Sequence, residues 1–390
     1  MSPPHPIYLD NAATTRPLPE VVEAMAGTYL DRFGNPSSAH VFAEAPRRAL
    51  EDAREFLRGT LSAANLVFTS GGTEADLLGV FGAVHHRSPG RVLCAATDHP
   101  AILAQKNLLA RSRHKLTPLP TTADGDVDPE VFFDHLGRDV RAIVIQHGHN
   151  ELGTLGEIEE LTSLAQRVCP DAHIHVDLVQ SYAKIPFDLD KAQVDSVAIS
   201  AHKLHGPRGV GFLALSSTAD IRAVQPAGGQ ESGLRGGTEN VAGAVGLAVA
   251  AEAAFSHLSE SHSHTSGLAK RLFEQVRSTF PKAERLGNAD HRLGHILSMR
   301  IPGIVGATLL ERMNAHGVAF STGAACHGKD ESESQVLKAI GLSRLEAREV
   351  VRFSFCRFNT LDEVNRVGDL LEQEAKILLA ASPRARVSKR

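Results

Sequence analysis

Six short runs of β-branched and other apolar residues, separated by stretches with helical periodicity, constrain the fold of this chain more than any other feature. The runs are LVFTS (66–70), RVLCAA (91–96), VRAIVIQ (140–146), HIHVDL (173–178), DSVAIS (195–200) and GVGFLALS (209–216). Several are nearly apolar throughout, as strands covered on both faces are. Helical patterns fall among them at 19–30, 44–59, 73–86 and 157–168. Such alternation predicts an α/β fold with a mostly parallel sheet covered by helices. A small-residue helix follows at 238–255, and the polar stretch SHLSESHSHTSG (256–267) marks an expected change of domain. The last third reads as α+β, with strands at 295–301, 318–322 and 350–355 and helices at 307–317 and 361–380. The 390 residues are enough for two units. The expectation is a large domain over 16–258 and a smaller α+β domain over 259–390, joined by an N-terminal segment, 1–15.

Composition narrows the function. A formal net charge of -4 argues against nucleic acid and acidic membrane surfaces as partners. No apolar run approaches the ~18 residues of a membrane span, and MSPPHPIYLD lacks the basic and apolar regions of a secretory signal. Four scattered cysteines, with no CxxC pair, suit free thiols in a reducing cytoplasm. Twenty histidines form no HExxH or other strong metal spacing, so no metal is expected beyond weak surface binding at HSHTSG (262–267).

Three segments carry the chemistry. In TSGGTEA (69–75) a β-run ends in Gly71-Gly72 and a helix opens at Thr73 or Glu74. Glycines let backbone N–H groups approach an anion, and the helix N-terminus favours negative charge, so this is a candidate phosphate cradle. A capped helix after a tight turn is the plainer reading. In HVDLVQ (175–180), Asp177 ends an apolar strand, where a buried carboxylate needs a cation unless it only caps a helix. In ISAHKLHGPRGVG (199–211), Lys203 again stands at a strand end, after Ser200 and His202. A lysine, an acid and a cradle at three strand ends of one sheet are what pyridoxal 5'-phosphate requires.

The chain resembles the cysteine desulfurases and selenocysteine lyases, within the class V aminotransferases of pyridoxal-phosphate fold type I. The resemblance runs through YLDNAATT (8–15), FGNPSSAH (33–40), FTSGGTEA (68–75), DHPAIL (98–103), NELGT (150–154), HVDLVQSYAKIPFDL (175–189), SAHKLHGPRGVG (200–211), GGQESGLRGGTEN (228–240), STGAACH (321–327) and VRFSF (351–355). It implies that Lys203 is the Schiff-base lysine, with Ser200, His202, Gly72 and Thr73 on the phosphate. His99 is implied to stack over the ring and move protons. Asn150 and Gln180 are implied to bond the phenolic oxygen or the substrate, and Asp177 to keep the ring nitrogen protonated. Thr238 is implied to reach the neighbouring subunit's phosphate, which makes a homodimer. Arg352 is implied to take the substrate carboxylate, a task suited to a planar guanidinium.

Cys326 follows an apolar strand and the small residues of AFSTGAAC (319–326), ahead of the polar stretch HGKDESESQ (327–335), which reads as a solvent-facing loop. With the resemblance, Cys326 is the expected sulfur acceptor. Cys94 and Cys169 read as packing residues. The chain departs from the family pattern at His149, Leu178 and Val179, and at Cys356, where the family usually has glycine; GAACH (323–327) is closer to the selenocysteine lyases. The expected activity is removal of sulfur from L-cysteine, giving L-alanine and a persulfide on Cys326 for transfer to an acceptor protein. The alternatives are a selenocysteine lyase and a low-activity sulfur-transfer scaffold.

Overall fold

The computed structural model describes residues 6–225, 228–323 and 334–381. In chain order the strands are β1 (Ile7–Tyr8), β2 (Asn65–Thr69), β3 (Arg91–Ala95), β4 (Lys115–Leu119), β5 (Val140–Gln146), β6 (His173–Asp177), β7 (Ser196–Ser200) and β8 (Gly211–Leu215). They are followed by β9 (Glu284–Arg285), β10 (Ile296–Arg300), β11 (Val318–Ala319), β12 (Ser321–Thr322) and β13 (Val350–Ser354).

Seven strands form the main sheet in the order β2-β8-β7-β6-β5-β3-β4. Only β8 runs against its neighbours β2 and β7; the other pairings are parallel. Successive side chains leave a strand on opposite faces, and β5 shows the consequence. Ile143 and Ile145 enter one core, with helices α1 (Pro19–Asp31), α2 (Glu44–Gly59) and Val241–Ser256. Ala142 and Val144 enter a second core, under helix α3 (Gly72–Val84). Burial on both faces explains why β5 is so apolar in sequence.

A four-stranded antiparallel sheet, β12-β13-β10-β9, lies against helices Leu258–Thr279, Gly306–Ala315 and Leu361–Ala381. The N-terminal segment ties the two sheets together. β1 pairs in parallel with β11, Asp10 bridges to Ser354, and the chain then turns to Thr15, whose N–H donates to the His202 carbonyl at 2.9 Å.

A helix and an edge strand are among the elements that the sequence reading left unmarked. The polar stretch 256–267 is helical: Leu258–Thr279 is one helix, bent 73° from the helix before it. Its Thr265, Leu268, Leu272 and Val276 are buried, so tertiary packing overrides the weak helix preference of serine and histidine. β4 was not anticipated, because KLTPL is an edge strand with only Leu116 and Leu119 buried and a proline that leaves one ladder donor missing. Among the described residues, no single helix is long and apolar enough to cross a membrane.

Candidate active site

The carboxyl ends of the parallel strands gather most of the residues singled out above. Gly72, Thr73, His99, Asn150, Asp177, Gln180, Ser200, His202 and Lys203 line one solvent-open cleft of about 640 Å³. Asp76, Gln146 and Val179 complete its walls.

The glycines are required where they stand. Gly71, just before α3, has φ 151° and ψ -177°, a conformation essentially confined to glycine. A Cβ on Gly72 would fall 2.6 Å from Cγ2 of Val179. α3 therefore opens with bare backbone toward the cleft, and its N-terminal N–H groups carry the positive end of the helix dipole.

Asp177 ends β6 and is buried; its Oδ1 accepts from the Val179 N–H at 2.8 Å. Burial, reinforced by nearby Asp76, pushes its pKa up to about 8. A carboxyl group in this position awaits a cation. Lys203 closes the short turn Ala201–Lys203 after β7, and its Nζ donates to the carbonyls of Ala12 at 2.7 Å and Ala13 at 2.8 Å. The N-terminal segment thus sits over the lysine. It also meets His202, whose Nδ1 is 3.1 Å from Thr14 Oγ1.

His99 caps the helical turn Pro100–Leu103, its Nδ1 accepting from the Ala101 N–H at 3.1 Å. Desolvation, and then the charge of Lys203, lower its pKa, so the ring is neutral and carries its proton on Nε2. Gln180 Nε2 donates to the Ala12 carbonyl at 2.9 Å, and Gln146 Nε2 to Asn150 Oδ1 at 3.2 Å. The Oε1 atoms of both glutamines are buried and have no partner among the described residues. They are acceptors for a polar ligand.

Arg352, in β13, does not line the cleft but is joined to it. Its Nη1 donates to the Asn150 carbonyl at 2.9 Å, and its Nε is buried with no partner among the described residues. Thr238 lies elsewhere, in a separate cleft of about 520 Å³ with Tyr29, Phe33 and Asn35. Cys326 and His327 fall outside the described residues.

His149 is structural. Its Nδ1 accepts from the N–H groups of Glu151 and Leu152, and burial lowers its pKa to about 4. Cys356 lies just beyond the end of β13, in a second cavity of about 700 Å³ with Lys184 and His295, and burial raises its pKa. Cys94 and Cys169 are buried and unpaired. Sequence reasoning missed Asp76 and Gln146. Asp76 lies one turn into α3, four residues after the cleft-lining Gly72, a spacing that returns it to the same helix face.

The aminotransferase class-V family model matches residues 7–367. This chain belongs to the class-V aminotransferase family. Within the family it is 35% identical over 367 residues to the cysteine desulfurase NifS of Azotobacter vinelandii, covering 93% of this chain and 90% of that protein. A solved NifS-like protein superposes with a TM-score of 0.89 at 32% identity, over 95% of this chain and all of that one. SspA, solved in complex with cysteine, superposes with a TM-score of 0.79 at 30% identity, over 91% of this chain and all of that one. Class-V aminotransferases are pyridoxal-phosphate enzymes, and the mostly parallel sheet with helices on both faces agrees with their fold type I.

Proposed function

We propose that this class-V enzyme is a cysteine desulfurase that binds pyridoxal 5'-phosphate in the cleft between Asp177 and Lys203. The observation that carries the reading is the convergence in that cleft of a lysine, a buried carboxyl group and a glycine-opened helix N-terminus. The residues fit the cofactor. Among the described residues buried Asp177 forms no ion pair and feels Lys203 only at a distance, so a protonated ring nitrogen would supply its cation. Gly72, Thr73, Ser200 and His202 line the cleft together, and they would hold the phosphate. The unpartnered oxygens of Gln146 and Gln180 await donors.

Bound there, pyridoxal phosphate would offer the substrate amine a reactive carbonyl and supply a ring that withdraws electrons. Lys203 Nζ takes the substrate's Cα proton as general base. Neutral His99, which lines the cleft, would pack against the bound cofactor and carry a proton on Nε2. Arg352 directs its guanidinium at the substrate carboxylate. The thiolate of Cys326 attacks the substrate sulfur: the carbon–sulfur bond breaks, a sulfur–sulfur bond forms, and L-alanine leaves with Cys326 as a persulfide. A protein thiol downstream then takes the sulfur.

The enzyme acts as a homodimer in the cytoplasm, with Thr238 reaching the partner's site. Tyr29, Leu30, Phe33, Val41 and Phe42 support this reading, because they expose large apolar side chains close to one another in sequence. Incubation with L-cysteine tests the activity. L-alanine is expected, with sulfide when a reductant is present; pyruvate with ammonia, or a keto acid, would replace this reading with a lyase or a transaminase.

A further inference from the structure

The face of β6 beneath α3 carries three buried polar side chains. His173, His175 and Asp177 alternate along the strand and so share that face. Ser196, on β7, is the registered partner of His175. From the cleft inward, Asp76 Oδ1 lies 3.1 Å from His175 Nε2. His175 Nδ1 lies 2.8 Å from Ser196 Oγ, and Ser196 Oγ lies 2.7 Å from His173 Nε2. His173 Nδ1 faces Asp195 Oδ2 at 3.8 Å, where Asp195 is partly exposed. α3 seals the path from above: a Cβ on Gly79 would lie 2.4 Å from the His175 ring.

We propose that Asp76, His175, Ser196, His173 and Asp195 form a proton relay between the surface and the floor of the catalytic cleft. Its direction follows from what each atom can donate. With both rings neutral, His173 Nδ1–H points to the Asp195 carboxylate, so His173 Nε2 accepts from the Ser196 hydroxyl. Ser196 Oγ then accepts from His175 Nδ1–H, and His175 Nε2 accepts from a protonated Asp76. In the opposite arrangement every donor is reversed, Asp76 is ionised, and His173 presents a bare Nδ1 to Asp195. The two states differ by one proton, which leaves or enters at the Asp195 end. The last gap exceeds a hydrogen bond, and a bridging water or a turn of Asp195 closes it.

The charged surroundings favour the first state. On the cleft side Asp76 faces buried Asp98 and Asp177, both raised in pKa, and ionising Asp76 beside an ionised Asp177 is costly. Burial raises Asp76 itself to about 8 and lowers His175 to about 4. At the outer end Arg87 and His86 add to desolvation in keeping His173 neutral. The relay holds Asp76 protonated, so that Asp177 carries the only negative charge toward a bound cation. Asp76 lines the cleft but is only 1% exposed, so its proton exchanges through the relay whether the cleft is open or covered. These five are positioning residues. The use to which the relay is put rests on the cofactor reading of the cleft, but its test needs no cofactor, so either can fail alone.

The test is infrared spectroscopy of cofactor-free protein near neutral pH, following the protonated-carboxyl band that disappears in Asp76→Asn. That difference separates Asp76 from Asp98 and Asp177. On transfer to heavy water, the band should exchange in the wild type and slow by about a hundredfold in Ser196→Ala, the low end of what positioned proton transfer contributes. Ser196→Thr keeps the hydroxyl and should restore the rate. His173→Leu, which breaks the path one link further out, should slow it as Ser196→Ala does and serves if that variant does not fold. Absence of the band in wild type, an unchanged rate in folded Ser196→Ala or His173→Leu, or failure of Ser196→Thr to restore it would overturn the relay.

Discussion

Arg352 and Asp10, 342 residues apart, form a nearly buried ion pair, with Nη2 donating to Oδ1 at 2.9 Å. Asp10 is held in turn by Ser321 Oγ at 2.9 Å. The pair fixes the plane of the guanidinium and leaves Nε unpartnered, so the group is oriented before substrate arrives. Arg352→Lys should therefore raise the KM for L-cysteine by roughly thirtyfold, the loss of about 2 kcal/mol from a charged hydrogen-bonded contact. Asp10→Asn should raise KM less, because the arginine stays but loses its anchor. Steady-state kinetics on both variants decides this; an unchanged KM in Arg352→Lys would remove Arg352 from substrate binding.

Lys203→Ala should fold normally by circular dichroism yet give no yellow chromophore reducible by borohydride. A variant that keeps such a chromophore would show that another amine holds the cofactor.

The carboxyl group of Asp177 makes the cofactor-free protein sensitive to pH. Its pKa rises from 3.8 to about 8 on folding, so the folded state binds the proton more tightly than the unfolded one. Its contribution to stability is full below 3.8 and is lost as pH climbs through about 8. Asp76 acts in the same direction. Urea melts of the cofactor-free protein should show stability falling between pH 5 and 8, with a smaller fall in Asp177→Asn. Adding pyridoxal phosphate should also reduce the fall, because a cation beside Asp177 lowers its pKa. An equal slope in wild type and Asp177→Asn would contradict the assignment.

The strands of the main sheet were legible because burial on both faces writes continuous apolar runs into β5 and β7. The edge strand β4 and the two-residue β9 carry no such signature. Helix Leu258–Thr279 was hidden because its buried stripe of Thr265, Leu268 and Leu272 is set in a polar background. In the site, Lys203, Asp177 and Gly72 could be read as strand-end and turn residues. The partnership of Asp10 with Arg352, and of Ser196 with His173 and His175, could not, because it depends on register between segments far apart in sequence.

Phe33→Asp or Phe42→Asp should convert a homodimer to monomers in sedimentation and abolish turnover, since Thr238 would no longer reach the partner's cleft. A fully active monomer would contradict the shared site.

Substrate preference follows from leaving-group chemistry. Selenol departs more readily than thiol, so Cys326→Ala should end alanine release from L-cysteine while sparing part of that from L-selenocysteine. Normal cysteine turnover in this variant would exclude sulfur capture by Cys326.

The central claim is that sulfur passes from cysteine to Cys326, and mass mapping after a short pulse of L-cysteine tests it most directly. The enzyme is alkylated after the pulse, digested and weighed peptide by peptide. One extra sulfur on the peptide carrying Cys326, matched by released L-alanine, is the predicted result. Sulfur on Cys356 instead, or alanine released with none on Cys326, would contradict the account.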